Sequence, residues 1–367
     1  MRYDVYYADV GELTSQLRAE VEDVLLVQDV SHQDGDQVRV FAGEFLQDTE
    51  RAYSLVHDRF GRYGYVPFFR RKRGRDQIIA VPAPTVREER TRLWVNVLLF
   101  VVTIFTTLYA GAVREGVDPL RNPFLLLHGF PFAFTLLAIL GTHELGHYLM
   151  GRRRGLAVTL PYFIPVPFGL GTFGAFIKMK SLVRDRKALF DVGLAGPVAG
   201  LMVAFPLLLL GLGLSRVRPL GATPFGYSIL MGWLVKLIHG SHPKGWVLEM
   251  HPIAWAGWIG LLVTGVNLLP VGQLDGGHVA YALLGQRHRL VAGLTFLVVL
   301  GMGFALWPGW FTWAALMFLT GLRHPPPLND LTMLDPLRKV LGLTAFFVLI
   351  LIITPVPIKV LPGTPLF

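Results

Sequence analysis

The rhythm of polar and apolar positions changes at residue 93. Before it the chain is mixed: "QVRVFAGEF" alternates like a strand, and "DTERAYSLVHDRFGRYG" has apolar residues at helical spacing behind an Asp cap. "VPFFRRKRGRDQIIAVP" reads as two strands around a basic turn. Together these predict a small N-terminal α+β domain over residues 1–84, of β-α-β-β order, followed by a basic linker at 85–92. From 93 onward, uncharged runs of bilayer-crossing length recur. The first is "LWVNVLLFVVTIFTTLYAGAV" (93–113) and the second "FPFAFTLLAILGTHELGHYLM" (130–150). Further spans are expected at about 189–214, 252–271, 289–307, 309–322 and 340–355, with a weaker apolar patch at 226–238. Residues 156–177 are equally apolar, but Pro161, Pro165, Pro167, Gly169, Gly171 and Gly174 break them. No straight helix survives that punctuation, so a re-entrant loop or hairpin packed on protein is expected there.

Composition agrees with this pattern. The chain of 367 residues is 53% hydrophobic and 16% charged, with mean hydropathy +0.50, as expected of a polytopic α-helical membrane protein rather than a soluble domain. The net charge of +9 does not call for nucleic acid, because the basic residues lie beside apolar segments, where they set topology. Arg70, Arg71, Lys72, Arg73, Arg75, Arg87, Arg90 and Arg92 precede the first span. Arg152, Arg153 and Arg154 follow the second, and Lys178, Lys180, Arg184, Arg186 and Lys187 precede the third. These clusters place the N-terminal domain, the end of the second span and the start of the third in the cytoplasm, and the 114–129 loop outside. The first residues, "MRYDVYYADVGEL", have no apolar core of a signal peptide and too many acids for a transit peptide. With no cysteine, a disulfide framework, a thiolate metal site and a cysteine nucleophile are all excluded, leaving His, Asp and Glu to hold any metal.

One stretch makes that last point matter. In "HELGH", His143 and His147 stand four residues apart, so on a helix both reach one ion, with Glu144 beside them. This HExxH arrangement binds Zn²⁺ through two imidazoles and uses the carboxylate as base toward water. The alternative is that the three groups are merely solvated near the headgroups. At 1.5 Å per residue His147 lies about 7–8 Å and His143 about 13–14 Å before Arg152, too deep for that reading of His143. An ionisable group at such depth costs about 2.5–3.5 kcal/mol on insertion scales and needs a compensating role.

A zinc that keeps a water needs a third protein ligand. The best candidate lies in "VNLLPVGQLDGGHV", where Asp275 follows an apolar helix broken by Pro270 and sits on a Gly276-Gly277 turn. His278 is its rival. Asn267, in the same apolar segment, reads either as an interhelical hydrogen-bonding group or as a donor to an oxyanion. Gly193, Gly196 and Gly200 share a helix face, which points to close helix packing against the HExxH helix. His128, His239, His242, His251 and His324 fall at span ends or in loops and are expected to be solvated.

"HELGH" in one span and "NLLPVGQLDGGH" in a later one resemble the paired motifs of the site-2 protease family of intramembrane zinc metalloproteases, peptidase family M50. "FDVGLAGPVAGL" (190–201) resembles that family's third core helix. The resemblance covers about 130–285 and implies a three-helix catalytic core within a membrane domain over 93–367, with additional C-terminal spans at 289–355. It implies His143, His147 and Asp275 as ligands of one zinc ion per chain, Glu144 as catalytic base and Asn267 as an oxyanion or substrate-positioning group. The 156–177 hairpin would be a plug or, as the resemblance suggests, an edge that pairs with an unwound substrate.

No PDZ module fits between His147 and Asp275, and no CBS-like domain follows the core. The N-terminal domain and extra spans resemble instead the branch with bacterial and chloroplast EGY-type members. The expected partners are the lipid bilayer and a transmembrane protein substrate, such as an anti-sigma factor or a signal-peptide remnant. The expected location is a bacterial inner membrane with the active site opening to the cytoplasm. Two other functions compete: a zinc-binding membrane transporter, and a catalytically silent scaffold that grips transmembrane segments. The transporter reading calls for a further set of acidic or histidine groups in the core spans on the far side of the metal, and Glu144 would be superfluous in the scaffold.

Overall fold

The computed structural model describes residues 10–34, 37–84, 92–219, 225–241 and 246–358. All but the last residue of the expected linker, and His242, lie outside the described residues. Two compact units form: residues 1–90 with 182–189 and 325–334, and residues 91–181 with 190–324 and 335–367.

The first unit contains α1 (Val10–Ala19), β1 (Leu25–Gln33), β2 (Val38–Phe45), α2 (Thr49–Gly61), β3 (Tyr65–Lys72) and β4 (Arg75–Pro82). The strands form an antiparallel sheet in the order β1-β2-β4-β3. Asp48 starts α2 by accepting the backbone N–H groups of Glu50 and Arg51 at 2.9 and 3.3 Å. The buried stripe of α2 (Ala52, Tyr53, Val56, Phe60) shares a core with Phe41, Phe69, Ile78 and Ala80 of the sheet. The basic turn between β3 and β4 is a two-residue hairpin, with Arg73 and Gly74 both at positive φ (51° and 83°).

Helix α1 and strand β1 precede the three strands and one helix that the sequence rhythm predicts. β1 hides from pattern reading because a bulge between Val27 and Asp29 interrupts its alternation and polar residues fill its second half. Its partner edge, β3, is extended from a distance. The Phe69 N–H donates to the Leu328 carbonyl at 2.9 Å, and the Asp330 N–H returns to the Phe69 carbonyl at 3.1 Å. Arg186 pairs with Asp330 at 2.9 Å and Lys187 with Glu50 at 2.5 Å, within the same unit.

The second unit is helical. In chain order it has α3 (Leu93–Arg114), α4 (Phe130–Arg153), β5 (Tyr162–Pro165), β6 (Thr172–Phe176) and α5 (Arg186–Leu214), whose first turn clusters with the first unit. β7 (Arg216–Pro219), α6 (Ile229–His239), β8 (Trp246–Glu249), α7 (Pro252–Asn267) and α8 (Asp275–Leu284) follow. α9 (His288–Ala305), α10 (Trp310–Thr320) and α11 (Pro336–Ile352) complete it. Among the described residues, four continuous helical stretches, 93–114, 123–153, 186–214 and 275–305, are long and apolar enough to cross a bilayer. The chain is a polytopic α-helical membrane protein.

Phe132, Leu136 and Leu140 of α4 share a buried cluster with Leu208 and Leu212 of α5 and Trp258, Ile259 and Leu261 of α7. That packing positions the C-terminal half of α4 among its neighbours. The span expected at 252–271 stops earlier, at Asn267, and a separate helix starts at Asp275. Pro270 explains the stop, since the residue before a proline disfavours helical backbone.

Candidate metal centre

His143 and His147 lie one turn apart on the buried side of α4, their ring centroids 4.9 Å from each other. Their Nε2 atoms are 3.2 Å apart. Asp275, the first residue of α8, completes a triangle, with Oδ2 3.1 Å from His143 Nε2 and Oδ1 3.2 Å from His147 Nε2. Among the described residues this is the group of His, Asp and Glu side chains whose donor atoms converge closely enough to hold a metal ion.

The proton positions say what the triangle suits. His147 Nδ1 lies 2.8 Å from the Val192 carbonyl, which can only accept, so Nδ1 carries the hydrogen. In neutral imidazole Nε2 is then a bare lone pair, and it faces a carboxylate oxygen and a second imidazole nitrogen. With the His143 proton on Nδ1, its Nε2 is a third lone pair aimed at the same point, and such a set suits a cation. Tetrahedral zinc with bonds of about 2.0–2.1 Å sets its donors about 3.3–3.4 Å apart, and two imidazoles with a carboxylate are a donor set it favours. The residues fit the ion.

α5 forms the wall behind these groups. A Cβ on Gly196 would occupy the His147 ring, and one on Gly200 would come within 3.1 Å of His143 Nδ1. The glycine face thus brings α5 backbone directly against both imidazoles, and the Val192 carbonyl is its hydrogen-bonding contribution. Gly276 and Gly277 do not form the expected turn. They belong to the first turn of α8, where a Cβ would meet the carbonyls of Leu268, Leu269, Val271 and Gly272. Their smallness lets α8 begin hard against the chain that follows α7, which brings Asp275 to α4.

Glu144 is buried beside the triangle, 8% exposed, on the helix that packs against β6. Asn267 is half-buried at the last turn of α7, and among the described residues its carboxamide makes no hydrogen bond. His278 turns elsewhere: its Nδ1 is 2.6 Å from His324 Nε2, and the His324 ring stacks on Tyr281 with centroids 4.8 Å apart. His324 is therefore buried in the helical unit rather than solvated in a loop as its position suggested. His239 likewise donates from Nε2 to the Leu212 carbonyl at 2.8 Å, and His251 caps α7 by accepting the Ile253 N–H. Val192 and His324 carried no signal in the sequence, the first because it acts through its backbone and the second because its partner is 46 residues away.

The comparisons with known proteins match this arrangement. The sequence profile described as "Peptidase family M50" matches residues 131–307, which hold the triangle, Glu144 and α5. Residues 131–307 are a peptidase family M50 segment. The chain's similarity to curated members of the EGY type extends well beyond the matched segment. It is 33% identical over 301 residues to "Probable zinc metalloprotease EGY2, chloroplastic" of Oryza sativa subsp. indica, covering 78% of this chain and 55% of that one. Against "Probable zinc metalloprotease EGY1, chloroplastic" of Arabidopsis thaliana it is 33% identical over 310 residues, 76% of this chain and 55% of that one. The chain thus spans about half the length of these curated relatives. No solved structure matches it significantly.

Proposed function

We propose that this chain is an intramembrane zinc metalloprotease that hydrolyses peptide bonds within the transmembrane segments of membrane proteins. The observation that carries the reading is the convergence of three lone-pair donors, with a buried carboxylate on the adjacent residue of the same helix. In this reading His143, His147 and Asp275 hold one zinc ion, and Glu144 is the catalytic base. The names of the relatives, zinc metalloproteases, support it.

Zinc bound there supplies Lewis acidity toward water and toward the carbonyl of the scissile bond. Glu144 takes the proton from the attacking water, the resulting hydroxide adds to the carbonyl carbon, and Glu144 then delivers that proton to the leaving amine as the C–N bond breaks. Asn267, whose carboxamide makes no hydrogen bond among the described residues, donates to the oxygen that becomes negative. The substrate must be unwound, because an intact helix hides its carbonyls in its own hydrogen bonds. The β5–β6 hairpin is the surface that receives it. β6 pairs with β5 on one side and, among the described residues, with no strand on the other. Its open edge supplies main-chain hydrogen bonds to an extended substrate. Re-entry of this hairpin into the bilayer from the basic, cytoplasmic side gives water a route to Glu144. The basic residues flanking α3, α4 and α5 support that topology in a bacterial inner membrane, with the α+β unit of 1–84 on the same side. A single-span protein, such as an anti-sigma factor or a signal-peptide remnant, is the substrate class.

The test compares wild type with Glu144→Ala, purified and reconstituted with a single-span peptide, by mass spectrometry of the products and metal analysis. The expected result is cleavage by wild type alone, with zinc bound to both. Cleavage by Glu144→Ala at the wild-type rate would overturn the assignment.

A further inference from the structure

The hairpin that flanks Glu144 is held from behind by a helix outside the three that carry the family motifs. Asn96 of α3 is 4% exposed, and its Nδ2 donates to the carbonyls of both Leu160 and Pro161, each at 3.0 Å. Those carbonyls fall at a break in the hairpin ladder. Below the break Val158 bridges Met179, and the Thr159 N–H donates to the Lys178 carbonyl at 3.0 Å. Above it Tyr162 pairs with Phe176 and Phe163 with Ala175. In a low-dielectric setting an unmet carbonyl is costly, and a primary amide with two N–H donors on one atom can meet two neighbouring ones. Asn96 Oδ1 finds no donor among the described residues, so the side chain is committed through its donors alone.

Two more contacts run along the same face. One turn above Asn96 the Phe100 ring lies 4.9 Å from that of Phe163, and at the hairpin tip Thr106 Oγ1 donates to the Gly171 carbonyl at 2.6 Å. Gly171 has φ +80°, and its Cα presses on the backbone of Thr106 and Thr107, where a side chain has no room. α3 therefore fastens the hairpin at base, middle and tip. On the opposite side β6 packs against α4, the helix that carries Glu144. The height of the open β6 edge relative to Glu144 is thus set by α3.

We propose that Asn96 is a positioning residue that fixes the register in which an extended substrate meets Glu144, and so determines which bond is cut. This rests on the proposed protease reading and on its use of the β6 edge. A paired strand shifts by whole residues of about 3.3–3.4 Å, so a hairpin loosened at its base presents neighbouring carbonyls to the same base.

The test uses the full chain in proteoliposomes with a single-span peptide, reading product ends by mass spectrometry and zinc content by metal analysis. Wild type is expected to cut one dominant bond. Asn96→Ala is expected to keep its zinc but spread the cuts over adjacent bonds, and Asn96→Gln, which keeps both donors, to restore one dominant bond. A zinc-loaded Asn96→Ala that cuts the wild-type bond alone, only more slowly, would show a merely structural role and overturn the proposal. Should Asn96→Ala lose zinc, Thr106→Val decides, since it frees the tip while keeping side-chain shape. Spread cuts support the proposal, and an unchanged single cut overturns it. Failure of wild type to cut at all would overturn the protease reading instead.

Discussion

The imidazole of His147 donates its Nδ1–H to the backbone carbonyl of Val192 at 2.8 Å, so a helix that supplies none of the three converging donor atoms orients one of them. The same helix has no Cβ at Gly196, where the His147 ring occupies the space. Gly196→Ala is therefore expected to displace the ring and weaken zinc binding by about 10–100-fold, the usual cost of disturbing a ligand's supporting partner. Competition with a chromophoric chelator measures this. Gly213→Ala, on the same helix with nothing within 4 Å of the new Cβ, is the control and should bind zinc as wild type does.

Asp275 and His278 were rivals for the third ligand position, and the proposed reading gives it to Asp275. Asp275 lies within 3.1–3.2 Å of both imidazoles, while the Nδ1 of His278 is engaged with His324 at 2.6 Å. Asp275→Asn keeps the shape and loses the charge, and should reduce zinc affinity by more than the about 10–100-fold expected of a supporting residue. His278→Ala should leave one zinc per chain. Metal analysis after dialysis against a weak chelator distinguishes them, and zinc loss from His278→Ala would reverse the assignment.

The legible parts of this protein were those in which one helix turn or one uninterrupted run carries the information. His143 and His147 at i, i+4 place two donors on one face without help from the rest of the chain, and the span of α3 follows from length and apolarity alone. Pro161 to Gly174 were readable as a break, and the break is a hairpin. What stayed hidden depends on partners distant in sequence. Nothing in the "LND" of 328–330 says that it will extend β3, because the bonds are backbone to backbone across some 260 residues. β1 was hidden by its bulge, and Asn96 looked like one polar residue in a span because the two carbonyls it serves belong to another element. Gly276 and Gly277 were read as a turn, whereas their smallness is spent on helix packing.

The first unit carries a pH dependence of its own. Arg59 grips the Asp23 carboxylate through two hydrogen bonds of 2.6 and 2.8 Å, holding that carboxyl below its usual value, chiefly by the hydrogen bonding. A group whose pKa falls on folding stabilises the folded state above its unfolded value of about 4 and loses that contribution as the pH drops through the folded one. Protection of β1 and α2 amides in the full chain, measured as exchange relative to the intrinsic rate at each pH, should therefore fall below about pH 4, and less so in Asp23→Asn. The difference will be small, since the Asp23 side chain is 54% exposed. Identical pH profiles for the two proteins would remove Asp23 from the account.

One residue before Val192, Asp191 joins three helices. Arg338 of α11 binds it through Nε to Oδ1 and Nη2 to Oδ2, both at 2.8 Å, and Arg154 at the end of α4 contacts Oδ2 as well. Arg338 is itself held by Asp335, which caps α11 by accepting the Arg338 N–H at 3.0 Å and also pairs with its guanidinium. The Asp191 side chain is 13% exposed, so removing one cation leaves a largely desolvated carboxylate with Arg154 alone. Full burial of an unpaired charge costs about 3–5 kcal/mol. With a second arginine remaining, Arg338→Ala is expected to cost roughly 1–3 kcal/mol of that range. Arg338→Lys should recover little, because an ammonium cannot reproduce the two-point grip. Asp191→Asn and Arg338→Ala combined should cost less than their sum by about 0.5–3 kcal/mol, the range for residues sharing one network. Thermal unfolding of the zinc-loaded protein in detergent measures all four corners of that cycle, and additive losses would mean that the pair does not couple α5 to α11.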